Sequence, residues 1–151
     1  MIKIARIYHW EMSHRLPFHQ GACKNIHGHS YSMWIEIFGK PDENGVILDF
    51  YELDKIVLPV VGQLDHSFIC DGNDTVMSAF LQQNEFKHTI IPYPTTCENL
   101  SGYIADIFYP ELQKFKNIIK FNIRLYETGD AFAEVEKVLS STRQNNSGLL
   151  L

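Results

Sequence analysis

A chain of 151 residues, 45% apolar and 21% charged, suits one domain able to bury its own core. A net charge of -5 without any Lys/Arg run gives no footprint for nucleic acid. No uncharged apolar stretch approaches the ~20 residues of a membrane-spanning helix, and the three cysteines, Cys23, Cys70 and Cys97, follow an opening, "MIKIARIYHW", without a leader pattern. Reduced thiols and a cytoplasmic protein are therefore expected.

Lys3 to His14, rich in Ile, Tyr and Trp, reads as a strand. "RLPFHQGACKNIHG" reads as a loop, and a second strand runs from His27 to Phe38. Its odd positions Tyr31, Met33, Ile35 and Ile37 are apolar, while Ser30, Ser32 and Glu36 take the other face. "PDENG" turns the chain, and Asp49 with Glu52 resembles a capping box. Leu53, Ile56, Val57, Val60, Val61 and Leu64 then recur at helical spacing, with Pro59 expected to kink or divide the helix.

Asp74 is the expected N-cap of a short helix from Thr75 to Phe86, and "HTIIPY" reads as a short extended piece. Thr95 and Glu98 mark another helix start, with Leu100, Ile104, Ile107 and Phe108 as its buried stripe and Pro110 ending or bending it. "IIKFNIRLYET" alternates as a strand with Ile119, Phe121, Ile123 and Leu125 inward, and "GD" turns into a last strand, "AFAEVEKV". The order is that of an α+β domain, a four-stranded antiparallel sheet with two main helices on one face, ββααββ, over residues 1–139. Residues 140–151, opening with the polar run "SSTRQNNSG", are expected to form a mobile tail.

The chemistry gathers around "CKNIHGHSY". Residues two apart on a strand share a face, so His27 and His29 can converge on one ion, and a hairpin can bring His14 beside them. Three imidazoles would leave a zinc ion one open position. The alternative is three surface or hydrogen-bonded histidines. Cys23 is a fourth ligand of a closed structural zinc, a base or nucleophile kept off the ion, or an inert cysteine; spacing does not separate these. Asp65 beside His66 reads first as a helix terminus with a cation near its carbonyl end. Glu127 ends an apolar strand face, where it requires a partner: a salt bridge or a donor-rich heterocycle. His9, His19 and His88 read as structural or surface groups, His19 being the nearest to a spare ligand.

Taken in order, "SHRL", "CKNIHGH", "LDH" and "TTCENL…YET…A" resemble the 6-pyruvoyl-tetrahydropterin synthase and 6-carboxytetrahydropterin synthase family across nearly the whole chain. The three-residue gap between Cys23 and "HGH" is similar to the bacterial carboxytetrahydropterin synthases of queuosine biosynthesis. The resemblance implies zinc ligands at His14, His27 and His29, a proton acceptor at Cys23 off the metal, and a catalytic relay of Asp65 and His66 with which Glu127 is counted. It also implies pterin binding by Glu127, Thr96 and Cys97. It implies the small tunnelling fold (T-fold), with sheets joined into an oligomeric barrel, two trimers making a homohexamer, and active sites at subunit junctions. The expected substrate is 7,8-dihydroneopterin triphosphate and the expected reaction 6-carboxytetrahydropterin formation. Rival readings are 6-pyruvoyl-tetrahydropterin synthesis and a non-catalytic pterin-binding oligomer with a structural zinc. Departures from the family pattern are "DHSFIC" for D-H-x-x-L-N, "TTCEN" with Pro94 one place early, and a longer stretch between Ser67 and Thr95.

Overall fold

The computed structural model describes residues 1–139; the expected tail, residues 140–151, lies outside them. Alternating side chains make β1 (Ile2–His14) and β2 (His27–Gly39), which pair antiparallel over their full length, from Ile2 against Gly39 to His14 against His27. β5 (Ile118–Tyr126) and β6 (Phe132–Val138) extend the same antiparallel sheet beyond β2. That part matches the expected four strands. The whole sheet, however, has six strands and is mixed, in the order β4-β3-β1-β2-β5-β6.

The added strands are β3 (Ser67–Asp71), parallel to β1, and β4 (His88–Ile91), parallel to β3. Every residue of β3 is buried, so it lacks the alternation that would reveal it in sequence. Ile69 joins the main core, under α1 (Phe50–Leu64) and α3 (Cys97–Leu112). Phe68 and Cys70 face the other way and pack against Met77 and Leu81 of α2 (Thr75–Gln83). The domain thus has three helices: two on one face, as expected, and a third behind β3.

Local departures have physical causes. α1 continues through Pro59; the carbonyl that proline leaves free, four residues back, belongs to exposed Lys55. α3 runs two residues past Pro110. β5 changes phase at a bulge: Phe38 pairs with Lys120 but Gly39 with Ile118, so Ile118 is buried while Ile119, expected inward, is exposed. Glycine is required at Gly39, where a Cβ would lie 2.6 Å from the Asn117 carbonyl oxygen. No helix among the described residues is long and apolar enough to cross a membrane.

Candidate metal centre and pterin site

The full-length β1–β2 pairing sets His14 directly against His27. His29 lies two residues further along β2 on the same face. One ligand atom from each of the three lies within 4.8 Å of the others, and among the described residues this is the converging set. The His14 ring Nδ1 lies 2.9 Å from the Thr95 carbonyl oxygen, and the His27 Nδ1 lies 2.8 Å from the Asn25 carbonyl oxygen. A carbonyl only accepts, so both Nδ1 atoms carry the proton and both Nε2 atoms present a lone pair. All three Nε2 atoms are buried without a hydrogen-bond partner.

Burial lowers the His14 pKa below that of a free imidazole, with the neighbouring rings adding to the fall. Burial does the same to His29, assisted by His27. Neutral imidazoles with unpaired, converging lone pairs can hold a divalent transition metal.

Glu127 stands beside this seat, past the end of β5. Its Oε1 lies 3.3 Å from His14 Nε2 and 3.7 Å from His29 Nε2, yet makes no hydrogen bond to either. The Tyr31 phenol donates to the same oxygen at 3.3 Å. Burial, then the Glu127 charge, pushes the Tyr31 phenol well above its usual value. Tyr31 is 1% exposed and stacked on Trp10, so it is a rigid donor. Sequence reasoning assigned it only to the core; its place two residues after His29 on one strand face was the available signal.

The expected pterin-binding residues lie at the start of α3. Thr96, rather than Thr95, is the N-cap, accepting from the Asn99 N–H at 3.3 Å. Thr95 is instead fully buried, its hydroxyl 3.3 Å from both His14 Nδ1 and the Arg15 carbonyl oxygen. The Cys97 thiol donates to the Leu125 carbonyl at 3.2 Å, and burial, aided by Glu127, pushes it up to about 11. Glu127, Cys97 and the three histidines therefore form one neighbourhood.

Cys23 sits half-buried in the short 3-10 turn Ala22–Lys24, outside the converging set. Asp65 and His66, at the end of α1, lie outside the converging set. Asp65 is the C-cap of α1; Lys87 Nζ bonds its carbonyl at 2.5 Å and that of Gly62 at 2.8 Å. The expected cation at the helix end is thus Lys87, which leaves His66 free of that duty. His66 has φ 54, its N–H donates to the Glu11 carbonyl at 2.7 Å, and Asp65 Oδ2 lies 2.9 Å from its Nδ1. The Glu11 N–H and then His66 hold the Asp65 carboxyl below its usual range. The His66 side chain is 77% exposed, on the rim of a recess it shares with Glu11, Ser13, His29, Ser30 and Ser67. His19 accepts the Gly21 N–H on its own Nδ1 and does not join the metal seat.

A family model described as 6-pyruvoyl tetrahydropterin synthase matches residues 3–138. A 6-carboxy-5,6,7,8-tetrahydropterin synthase of Haemophilus influenzae is 31% identical over 145 residues, covering 91% of this chain and 100% of that protein. The protein of the same name from Rickettsia felis is 30% identical over 138 residues, covering 89% and 100%. Among solved structures, 6-pyruvoyl tetrahydropterin synthase from Plasmodium vivax superposes with a TM-score of 0.71 at 19% identity, over 91% of this chain and 99% of that one. An uncharacterised Wolinella succinogenes protein gives 0.74 at 16% identity, over 89% and 97%. With the family pattern spanning nearly every described residue and the histidine seat formed where that pattern implies it, the chain belongs to the 6-pyruvoyl tetrahydropterin synthase family.

Proposed function

We propose that this protein is a zinc-dependent 6-carboxy-5,6,7,8-tetrahydropterin synthase, converting 7,8-dihydroneopterin triphosphate and water to 6-carboxytetrahydropterin, acetaldehyde and triphosphate in 7-deazaguanine (queuosine) biosynthesis. The observation that carries this reading is the convergence of three unpaired imidazole nitrogens beside the Glu127 carboxylate. The name of the Haemophilus influenzae relative supports the choice of reaction within the family.

His14, His27 and His29 would hold the zinc ion, which would supply Lewis-acid polarisation. Cys23 is the base that takes a proton from the substrate side chain, and its place outside the histidine set suits that role. Glu127 accepts from the N–H groups of the pterin ring, while Tyr31 holds its Oε1. Thr96 and Cys97 line the same ring. These contacts act by orientation, presenting the reacting carbon to the thiol.

His66, oriented by Asp65, relays protons. Its exposure on the rim of the recess leaves it open to a neighbouring subunit's site. An assembly also answers the open edges of the sheet. β3 covers β1 only at Met12 and Ser13, and β6 ends the sheet at the other side. Joining these edges gives a barrel of three subunits, and two such rings a homohexamer, in the cytoplasm.

The same residues would also serve 6-pyruvoyl-tetrahydropterin synthesis, which keeps the carbon–carbon bond, and the family model carries that description. Incubating zinc-loaded protein with 7,8-dihydroneopterin triphosphate separates the two. Acetaldehyde together with a carboxypterin supports the proposal; a diketo pterin without acetaldehyde overturns it.

A further inference from the structure

The segment from Arg15 to Ile26 joins two of the metal-site histidines, His14 and His27, and carries Cys23. None of its twelve residues is buried; only Arg15, Leu16 and Cys23 are even half covered. Packing therefore does little to place it, and polar contacts at its base must do so. Three contacts are found there. The Leu16 N–H donates to the Cys23 carbonyl at 2.8 Å, which ties the cysteine to the residue after Arg15. The Thr95 hydroxyl donates to the Arg15 carbonyl at 3.3 Å. The Arg15 guanidinium grips Asp74 through a two-pronged pair, Nε to Oδ2 at 2.6 Å and Nη2 to Oδ1 at 2.7 Å.

The Asp74 side chain is only 6% exposed, and it caps α2 through the Met77 N–H. It therefore belongs to the β3–α2–β4 unit, whose own small core of Phe68, Cys70, Met77 and Leu81 fixes it against the sheet. A bidentate Arg–carboxylate pair restricts orientation as well as distance, unlike a Lys point charge. The chain of contacts runs from a packed helix terminus, through Arg15 and Leu16, to the backbone of Cys23.

We infer that Asp74, acting through Arg15, is a positioning residue that sets the Cys23 thiol relative to the metal seat, an inference that rests on the proposed role of Cys23 as the base. It gives the β3–α2–β4 unit a second task beside the hold of Lys87 on the end of α1.

The test uses Asp74→Asn, which keeps side-chain size and the α2 cap, and Arg15→Lys, which keeps the charge but not the fork. Each full-length, zinc-loaded variant is assayed for bound metal, kcat and KM. Iodoacetamide alkylation of Cys23 is followed by peptide mapping, so that Cys70 and Cys97 are counted apart. Metal content and KM are expected to stay within about twofold of the parent, kcat to fall about tenfold, and Cys23 alkylation to quicken about threefold, because small misplacements of a reacting group are amplified in rate. Unchanged kcat and alkylation in both variants would overturn the inference. So would loss of metal alongside kcat, which would assign the pair to His14 instead. Cys23→Ala is run in parallel. If it retains turnover, the proposed role of Cys23 fails, and the alkylation rates alone then decide whether Asp74 places the loop.

Discussion

The metal seat and the Asp65–His66 corner are both built from histidines with assigned neighbours, but they differ in closure. At the seat, His14 is 1% exposed, and the rings of His14 and His27 are each oriented by a carbonyl. All three converging rings come from the one chain. At the corner, the backbone is equally well held: His66 donates to Glu11 and Asp65 accepts from it. The imidazole itself points outward, with Asp65 as its only partner among the described residues. The chain thus presents one enclosed histidine cluster and one exposed imidazole on a well-held backbone.

The largest effects should come from the enclosed histidine cluster. His27→Ala removes one of three ligands and is expected to weaken zinc binding at least about 100-fold, read by chelator competition on the apo protein. Cys23→Ala should leave that affinity intact while lowering kcat about 10²–10⁴-fold, the range for losing a general base. If Cys23→Ala instead lost the metal, sulfur would be a ligand and the seat would be a closed structural site. That result would also erase the contrast with the corner.

The seat was legible in sequence because it is local. Two histidines at strand period and a third at a hairpin end need only pairing to meet, and Glu127 stood out as a carboxylate ending an apolar strand face. The residues that hold the seat were not legible. Thr95 reaches His14 across 81 positions and Arg15 reaches Asp74 across 59, and no periodicity encodes such contacts. Thr95 also looked like a helix cap, a role taken one residue later by Thr96. The same limit applies to the fold. The antiparallel core β1-β2-β5-β6 follows from alternation, but β3 is covered on both faces and shows none. The bulge at Gly39 moved the inward position from Ile119 to Ile118, a shift that depends on the partner strand.

Changes at the corner should be smaller and should spare the metal. The positive φ of His66 disfavours most side chains, and β-branched ones above all. His66→Val is expected to cost about 1–2 kcal/mol in urea unfolding, whereas His66→Gly should match the parent's stability. Both should lower kcat with zinc affinity unchanged. Equal stability of the Val and Gly variants would mean that the corner is not rigidly mounted. A subtler change tests the rim of the seat. Tyr31→Phe keeps the stacked ring and removes the donor to Glu127, so KM should rise about fivefold, the equivalent of the ~1 kcal/mol of one hydrogen bond, with kcat little altered.

The smallest expected effect concerns acid. The Asp65 carboxyl is held below its usual value, first by the Glu11 N–H and then by His66. A carboxyl lowered in the folded state binds fewer protons there than in the unfolded chain. Its contribution is therefore present above the ordinary value of 3.8 and is lost as pH falls through the lower folded one. Asp65→Asn should lower the neutral plateau of the urea midpoint slightly and so flatten its acid limb below about pH 4. The effect should be slight, because Asp65 is solvent-exposed and water screens the pair. Tyr31→Phe, confined to the seat, should leave that limb as it is. A matching change in both variants would mean that the histidine cluster and the corner titrate as one unit, and the separation between them would fail.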